Sequence, residues 1–181
     1  MIGLPGRHLR GLCRGFSTVP RVANVGLMLY TIRDECGRDL EGTLRAVAGL
    51  GYDGVELHSL HGHPAERVRE WLDDAGLVAV GRHAGLDTLE SKLPWLAEEV
   101  SVLGFDRVAL SSIEPDRSAV EQIAKLAERA RIHGIRLGFH NHDRELAPLD
   151  SVGESFLDLL RGLPGDLLWL ELDLAASSAA A

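Results

Sequence analysis

The chain is 181 residues long, 45% apolar and 25% charged, with a formal net charge of −8, the proportions of an ordinary globular domain able to bury a core. No apolar run approaches the roughly 18–20 residues of a membrane-spanning helix, and two cysteines, Cys13 and Cys36, are too few for a disulfide framework or a four-thiolate zinc site. The acidic balance argues against a binder driven by nucleic-acid backbone charge, and the cysteine usage leads us to expect a reducing, cytoplasmic setting.

Charge is unevenly spread. Residues 1–33 hold five arginines (Arg7, Arg10, Arg14, Arg21 and Arg33) and no acid, leaving 14 basic against 27 acidic residues, a net −13, in 34–181. Residues 1–22 are rich in Arg and Gly and lack the apolar core of a secretory signal. They are expected to be a disordered leader, with a mitochondrial transit peptide as the alternative.

From Val25 a regular alternation begins. VGLMLY (25–30) has strand character, and Leu40, Leu44, Val47 and Leu50 recur at helical spacing over 39–50. GVELH (54–58) precedes a helix over 64–75 with Val68, Trp71 and Leu72 on one face, begun by Pro64 and ended by Gly76. LVAVGRH (77–83) precedes a helix over 89–103, and RVALSS (107–112) precedes one over 118–133. RLGFHNH (136–142) is followed by a helix over 153–163, LLWLELD (167–173) is a sixth strand, and residues 174–181 read as an Ala/Ser tail.

Strand-helix units repeating about every 29 residues imply parallel strands joined by right-handed crossovers. Either an open doubly wound sheet or a β/α barrel fits, and eight barrel units need about 250 residues. GLGYDG (49–54) matches a dinucleotide-binding fingerprint letter for letter. Its glycines follow a helix and open a strand, the reverse of the phosphate-cradling context, so it reads as an αβ turn.

Splitting each strand into its two faces separates the architectures. One face is apolar throughout: Val25, Leu27, Leu29, Val55, Leu57, Leu137, Phe139, Leu168, Leu170 and Leu172. The other turns polar toward the strand ends, with Met28 and Tyr30, Glu56 and His58, Gly81 and His83, Ala109 and Ser111, His140 and His142, then Glu171 and Asp173. An open sheet covered on both sides wants two apolar faces. A barrel wants one, with chemistry in its carboxyl-end mouth, so we expect an incomplete (β/α)8-type barrel over 23–173. Singly, each polar residue has a structural explanation; Glu56, for example, could pair with Arg82. Together they converge on one mouth, where burial without a cation is expensive and imidazole with carboxylate suits Mn²⁺, Co²⁺, Fe²⁺ or Zn²⁺.

Four segments, LMLYTIRDE (27–35), GYDGVELHSLHG (51–62), LGFHNHDRE (137–145) and LELD (170–173), carry a resemblance to the xylose isomerase-like barrel superfamily, the sugar phosphate isomerase/epimerase group. The resemblance implies one divalent metal (Mn²⁺, Co²⁺, Mg²⁺ or Zn²⁺), with Asp173 as the sixth-strand ligand and His140 or His142 as the fifth-strand ligand. It places a substrate-contacting histidine at His83 and makes Glu145, which closes the HNHDRE motif, a second candidate for the fifth-strand ligand; the expected catalytic set is Glu56, His83 and Glu145. Tyr30, His58 and Ser111 are expected to meet substrate. Relatives continue into two more strands that carry the remaining ligands, so the resemblance implies a truncated barrel of about five and a half to six units, strands seven and eight being missing. Such a chain could be completed by a homodimer or domain swap.

The implied activity is isomerisation or epimerisation of a sugar or sugar phosphate, by metal-assisted proton transfer beside a carbonyl through an enediolate. An inosose (keto-polyol) dehydratase is the alternative, as is a catalytically inactive fragment. An apurinic-site endonuclease is disfavoured by the acidic body.

Overall fold

A computed structural model describes residues 24–149, 151 and 153–175. The expected leader at 1–22 and most of the expected tail lie outside the described residues.

Six strands form one sheet in sequential order, every neighbouring pair parallel. They are β1 (Gly26–Met28), β2 (Gly54–Leu57), β3 (Val78–Ala84), β4 (Arg107–Leu110), β5 (Arg136–His140) and β6 (Trp169–Glu171). Helices α1 (Arg33–Arg38), α2 (Leu40–Gly49), α3 (Ala65–Ala75), α4 (Leu86–Ser91), α5 (Leu93–Leu103), α6 (Arg117–Ile132) and α7 (Phe156–Arg161) fill the crossovers. This is an incomplete β/α barrel. Among the described residues no helix is long and apolar enough to cross a membrane.

The helices obey local chemistry. The Asp39 carboxylate caps α2 by accepting from Gly42 N at 2.9 Å, and Ser155 and Asp158 form a reciprocal capping box on α7. Gly76 and Gly104 end α3 and α5 at φ 70° and 85°, left-handed conformations that suit glycine.

Three expected spans change. The helix over 89–103 is two helices broken at Lys92, and Pro94 sits in the first turn of α5, where its missing N–H is harmless. The strand at 25–30 ends at Met28, and Leu29–Ile32 form a 3-10 turn. The helix at 153–163 starts only at Phe156, behind its cap. Leu50, expected on the buried stripe of α2, lies beyond its last turn and is exposed.

The core lies between strands and helices in two clusters. One joins α1–α3 to β1–β3 through Leu44, Val55, Leu57, Val68 and Leu72. The other joins α4–α7 to β4–β6 through Leu96, Val108, Ile123, Phe139 and Phe156, and Phe105 packs against both.

The inner face follows the expected alternation with one irregularity. Val55 pairs with Ala79 but Glu56 pairs with Gly81, so Val80 is bulged out of register. Strict alternation would put Ala79 and Gly81 on one face. The bulge instead leaves Ala79 in the helix-side core and turns Gly81 toward Glu56, where a Cβ would lie 3.2 Å from Glu56 Oε1. At the opposite end of the strands Gly138 leaves a slot for the Trp169 indole, whose Nε1 donates to Arg136 O at 3.0 Å. A Cβ on Gly138 would meet that ring at 2.3 Å.

Candidate functional site

The carboxyl ends of the strands open onto a cavity of about 600 Å³. Tyr30, His58, His83, Ser111, His140 and Asp173 are among its lining, as is His142. Parallel strands present their carboxyl ends together, so residues far apart in sequence meet here.

Glu171 is the hub. Its Oε1 lies 3.0 Å from His83 Nε2 and 2.8 Å from His140 Nδ1. The two imidazoles stand 4.6 Å apart, centroid to centroid. Glu56 Oε1 is 3.7 Å from His83 Nε2, and Asp173 Oδ2 is 3.8 Å from His140 Nε2. Ligand atoms of His83, His140 and Glu171 all fall within 4.8 Å of one another. Two nitrogens and a carboxylate oxygen converging in a half-buried site, with two more carboxylates alongside, fit a divalent transition metal.

The electrostatics split the two glutamates. Burial and the charge of Glu171 push the Glu56 carboxyl up to about 8 from an ordinary 4.5, and it shares a hydrogen bond with Glu171. Burial opposes ionisation of Glu171 as well, but hydrogen bonds to His140 and His83 hold it below the usual carboxylate range. The hydrogen bond to Glu171 raises His140 against the effect of its burial. One carboxyl that holds a proton near neutral pH thus faces one that stays ionised, the separation acid–base chemistry uses.

The remaining expected residues take different positions. His142 stands 5.2 Å from His140, ring to ring, and is half exposed. Glu145 is buried in the 3-10 turn Arg144–Leu146, where Oε2 accepts from His142 N at 2.8 Å and Oε1 is 3.9 Å from His142 Nδ1. It therefore backs His142 rather than joining the glutamate pair. Tyr30 packs edge-on against His58 at 5.5 Å, on the β1–β2 wall of the mouth. Arg82 does not pair with Glu56; β3 points it outward to the buried carboxylate of Glu99, beneath Trp95. GLGYDG is a turn between α2 and β2, with Gly51 at φ 91°.

Two residues gain weight. Glu171 shares the inner face expected for it, but its contacts with His83, 88 positions away, carry no sequence signal. Asn141 is fully buried and joins β5 to the end of β6. Its Oδ1 accepts from Asp173 N at 3.1 Å and its Nδ2 donates to His142 O at 3.1 Å. Its signal was parity: an amide at an outward position, where a buried polar group must be hydrogen-bonded.

No protein-family model matches the chain, and no curated protein matches it. Solved structures do. A sugar phosphate isomerase/epimerase from Parabacteroides distasonis superposes with a TM-score of 0.72 at 18% identity, over 91% of this chain and 70% of that one. A D-tagatose 3-epimerase-like protein gives 0.61 at 15% identity, over 88% and 68%. A family 2 AP endonuclease from Brucella melitensis gives 0.62 at 16% identity, over 84% and 69%. At these identities the likeness is one of fold.

Proposed function

We propose that the chain moves a proton at a carbon beside the carbonyl of a small polyhydroxylated substrate, a sugar or keto-polyol, as an isomerase or epimerase. The observation that carries this reading is the Glu56 carboxyl set against the His83–His140–Glu171 cluster in the strand-end mouth. His83, His140 and Glu171 would hold a divalent cation, with Asp173 and His142 beside them. When bound, the cation supplies Lewis-acid polarisation of the substrate carbonyl. In its ionised form Glu56 takes the proton from the adjacent carbon and delivers it to the former carbonyl carbon, while the hydroxyl proton of the adjacent carbon passes to the former carbonyl oxygen, so that aldose and ketose interconvert. Tyr30 and Ser111 orient the hydroxyl groups, and Glu145 steadies His142 through the backbone bond.

The fold is shared with an isomerase/epimerase and an epimerase-like protein, and also with an AP endonuclease. The acidic balance of 34–181 weighs against the last chemistry, which needs a basic groove for a phosphate backbone.

The test is proton exchange. The full chain loaded with Mn²⁺ is incubated in D₂O with a panel of ketoses and inososes and followed by NMR. Deuterium entering the carbon beside the carbonyl, in wild type but not in Glu56→Gln with cation binding intact, supports the reading. Loss of water from the substrate would move the assignment to a dehydratase. No exchange, or exchange that survives Glu56→Gln, refutes it.

A further inference from the structure

Strands β5 and β6 end together, at His140 and Glu171, and their register stops with that pair. The side chains beside the cation cluster, His142 and Asp173, come two residues later on each strand, past the end of the ladder. One backbone bond reaches beyond it, Asn141 N donating to Glu171 O at 3.4 Å, which is long for such a bond. Asp173 is nonetheless set in a definite pose. Its Oδ1 accepts from Ala175 N at 2.8 Å, and its Oδ2 stands 3.8 Å from His140 Nε2.

Asn141 supplies what the ladder does not. It occupies an outward position and is fully buried. Its Oδ1 accepts from Asp173 N and its Nδ2 donates to His142 O, both at 3.1 Å. A backbone N–H can only donate and a carbonyl can only accept, so these two partners admit one orientation of the amide. The side chain therefore serves as one more peptide group between the strands. His142 is gripped at its other backbone group as well, its N–H donating to the buried Glu145 Oε2 at 2.8 Å. Breaking these bonds would strand polar groups in the interior, so burial of Asn141 locks His142 and Asp173 to each other.

We propose that Asn141 is a positioning residue: through the backbones of His142 and Asp173 it sets where those two side chains stand beside His140. This role rests on the cation site proposed for His83, His140 and Glu171 and deepens it. Asn141 itself faces away from the mouth and acts only through its neighbours. Outer partners of this kind commonly change metal affinity by roughly ten- to a hundredfold.

The test compares variants of the full chain. Asn141→Leu keeps a branched side chain and removes both bonds. It should weaken Co²⁺ binding roughly tenfold or more in calorimetry and shift the Co²⁺ absorption bands. In the metal-free chain it should speed hydrogen exchange at the Asp173 amide and displace the His142 ring resonances. Ile123→Ala, which opens a hole in the second core cluster on α6, controls for lost stability and should change none of these. Asn141→Asp keeps the shape and the acceptor facing Asp173 N but sets an oxygen against His142 O. It should leave the Asp173 amide protected, displace the His142 resonances and cost about threefold in affinity. It carries the test alone if Asn141→Leu does not fold.

Co²⁺ affinity and spectrum unchanged by substitution of Asn141 overturn the proposal, whatever happens to amide exchange. If the wild type takes up no Co²⁺, the cation site fails and Asn141 is decided on the metal-free chain. Asp173 exchange and His142 resonances that respond to Asn141→Leu but not to Ile123→Ala then keep the positioning role, and the absence of that response overturns it.

Discussion

The two faces of the same six strands follow opposite rules. Outward, residues such as Val55, Leu57, Leu137 and Phe139 are at most 1% exposed and packed against helices. Inward, at nearly the same height, Glu56, His83, His140 and Glu171 crowd into a few ångströms. Burial of the first set drives folding, at about 25 cal/mol per Å² of apolar surface removed from water. Burial of the second set opposes folding until each polar group finds a partner. Stability and chemistry are therefore carried by alternate residues of one backbone, and a substitution one position along should change its kind of effect.

Adjacent residues of β5 give the sharpest break. Phe139 stacks edge-on against Phe156 at 5.5 Å in the second core cluster. Phe139→Ala should lower unfolding free energy by about 3–5 kcal/mol in urea titration. His140→Gln, the next residue, should weaken Co²⁺ binding at least ~10-fold, because second-nitrogen donors are not replaceable by an amide. Its stability loss should stay near the ordinary ~1 kcal/mol for a point change. Equal destabilisation by the two would erase the distinction between the faces.

A pH series sharpens it next. With the Glu56 carboxyl at about 8 against an ordinary 4.5, the folded chain keeps a proton that the unfolded chain releases. The associated stability is complete below the ordinary value and is lost as pH rises through the folded one. The melting temperature of the chelator-treated chain should therefore fall between pH 5 and 8, and Glu56→Gln should flatten that slope. Glu171, held low by its histidines, contributes with opposite sign and is lost only in more acidic solution. The smallest effect belongs to the outer layer's ends. Ser155→Ala removes one half of the α7 capping box and should lower unfolding free energy by ~1 kcal/mol, leaving Co²⁺ affinity unchanged.

Alternation made much of this legible beforehand. Because each strand has a period of two, Glu56, His58, His83, His140, Glu171 and Asp173 could be placed on one face from sequence. The contacts among them could not. His83 on β3 and Glu171 on β6 meet across β4 and β5, a contact set by the curl of the sheet and not by spacing. The break at Lys92 was hidden because Leu89, Leu93, Leu96, Val100 and Leu103 sustain a helical stripe straight through it. Arg82, a conceivable partner for Glu56 by sequence, follows instead the outward parity of β3, which sends it to Glu99.

The bulge at Val80 also bears on how this gene can change. Val80 has no register partner on β2, so a deletion of that single codon would leave Ala79 facing the helices and Gly81 and His83 facing the mouth. In β3 the loss of that one residue does not turn the site inside out.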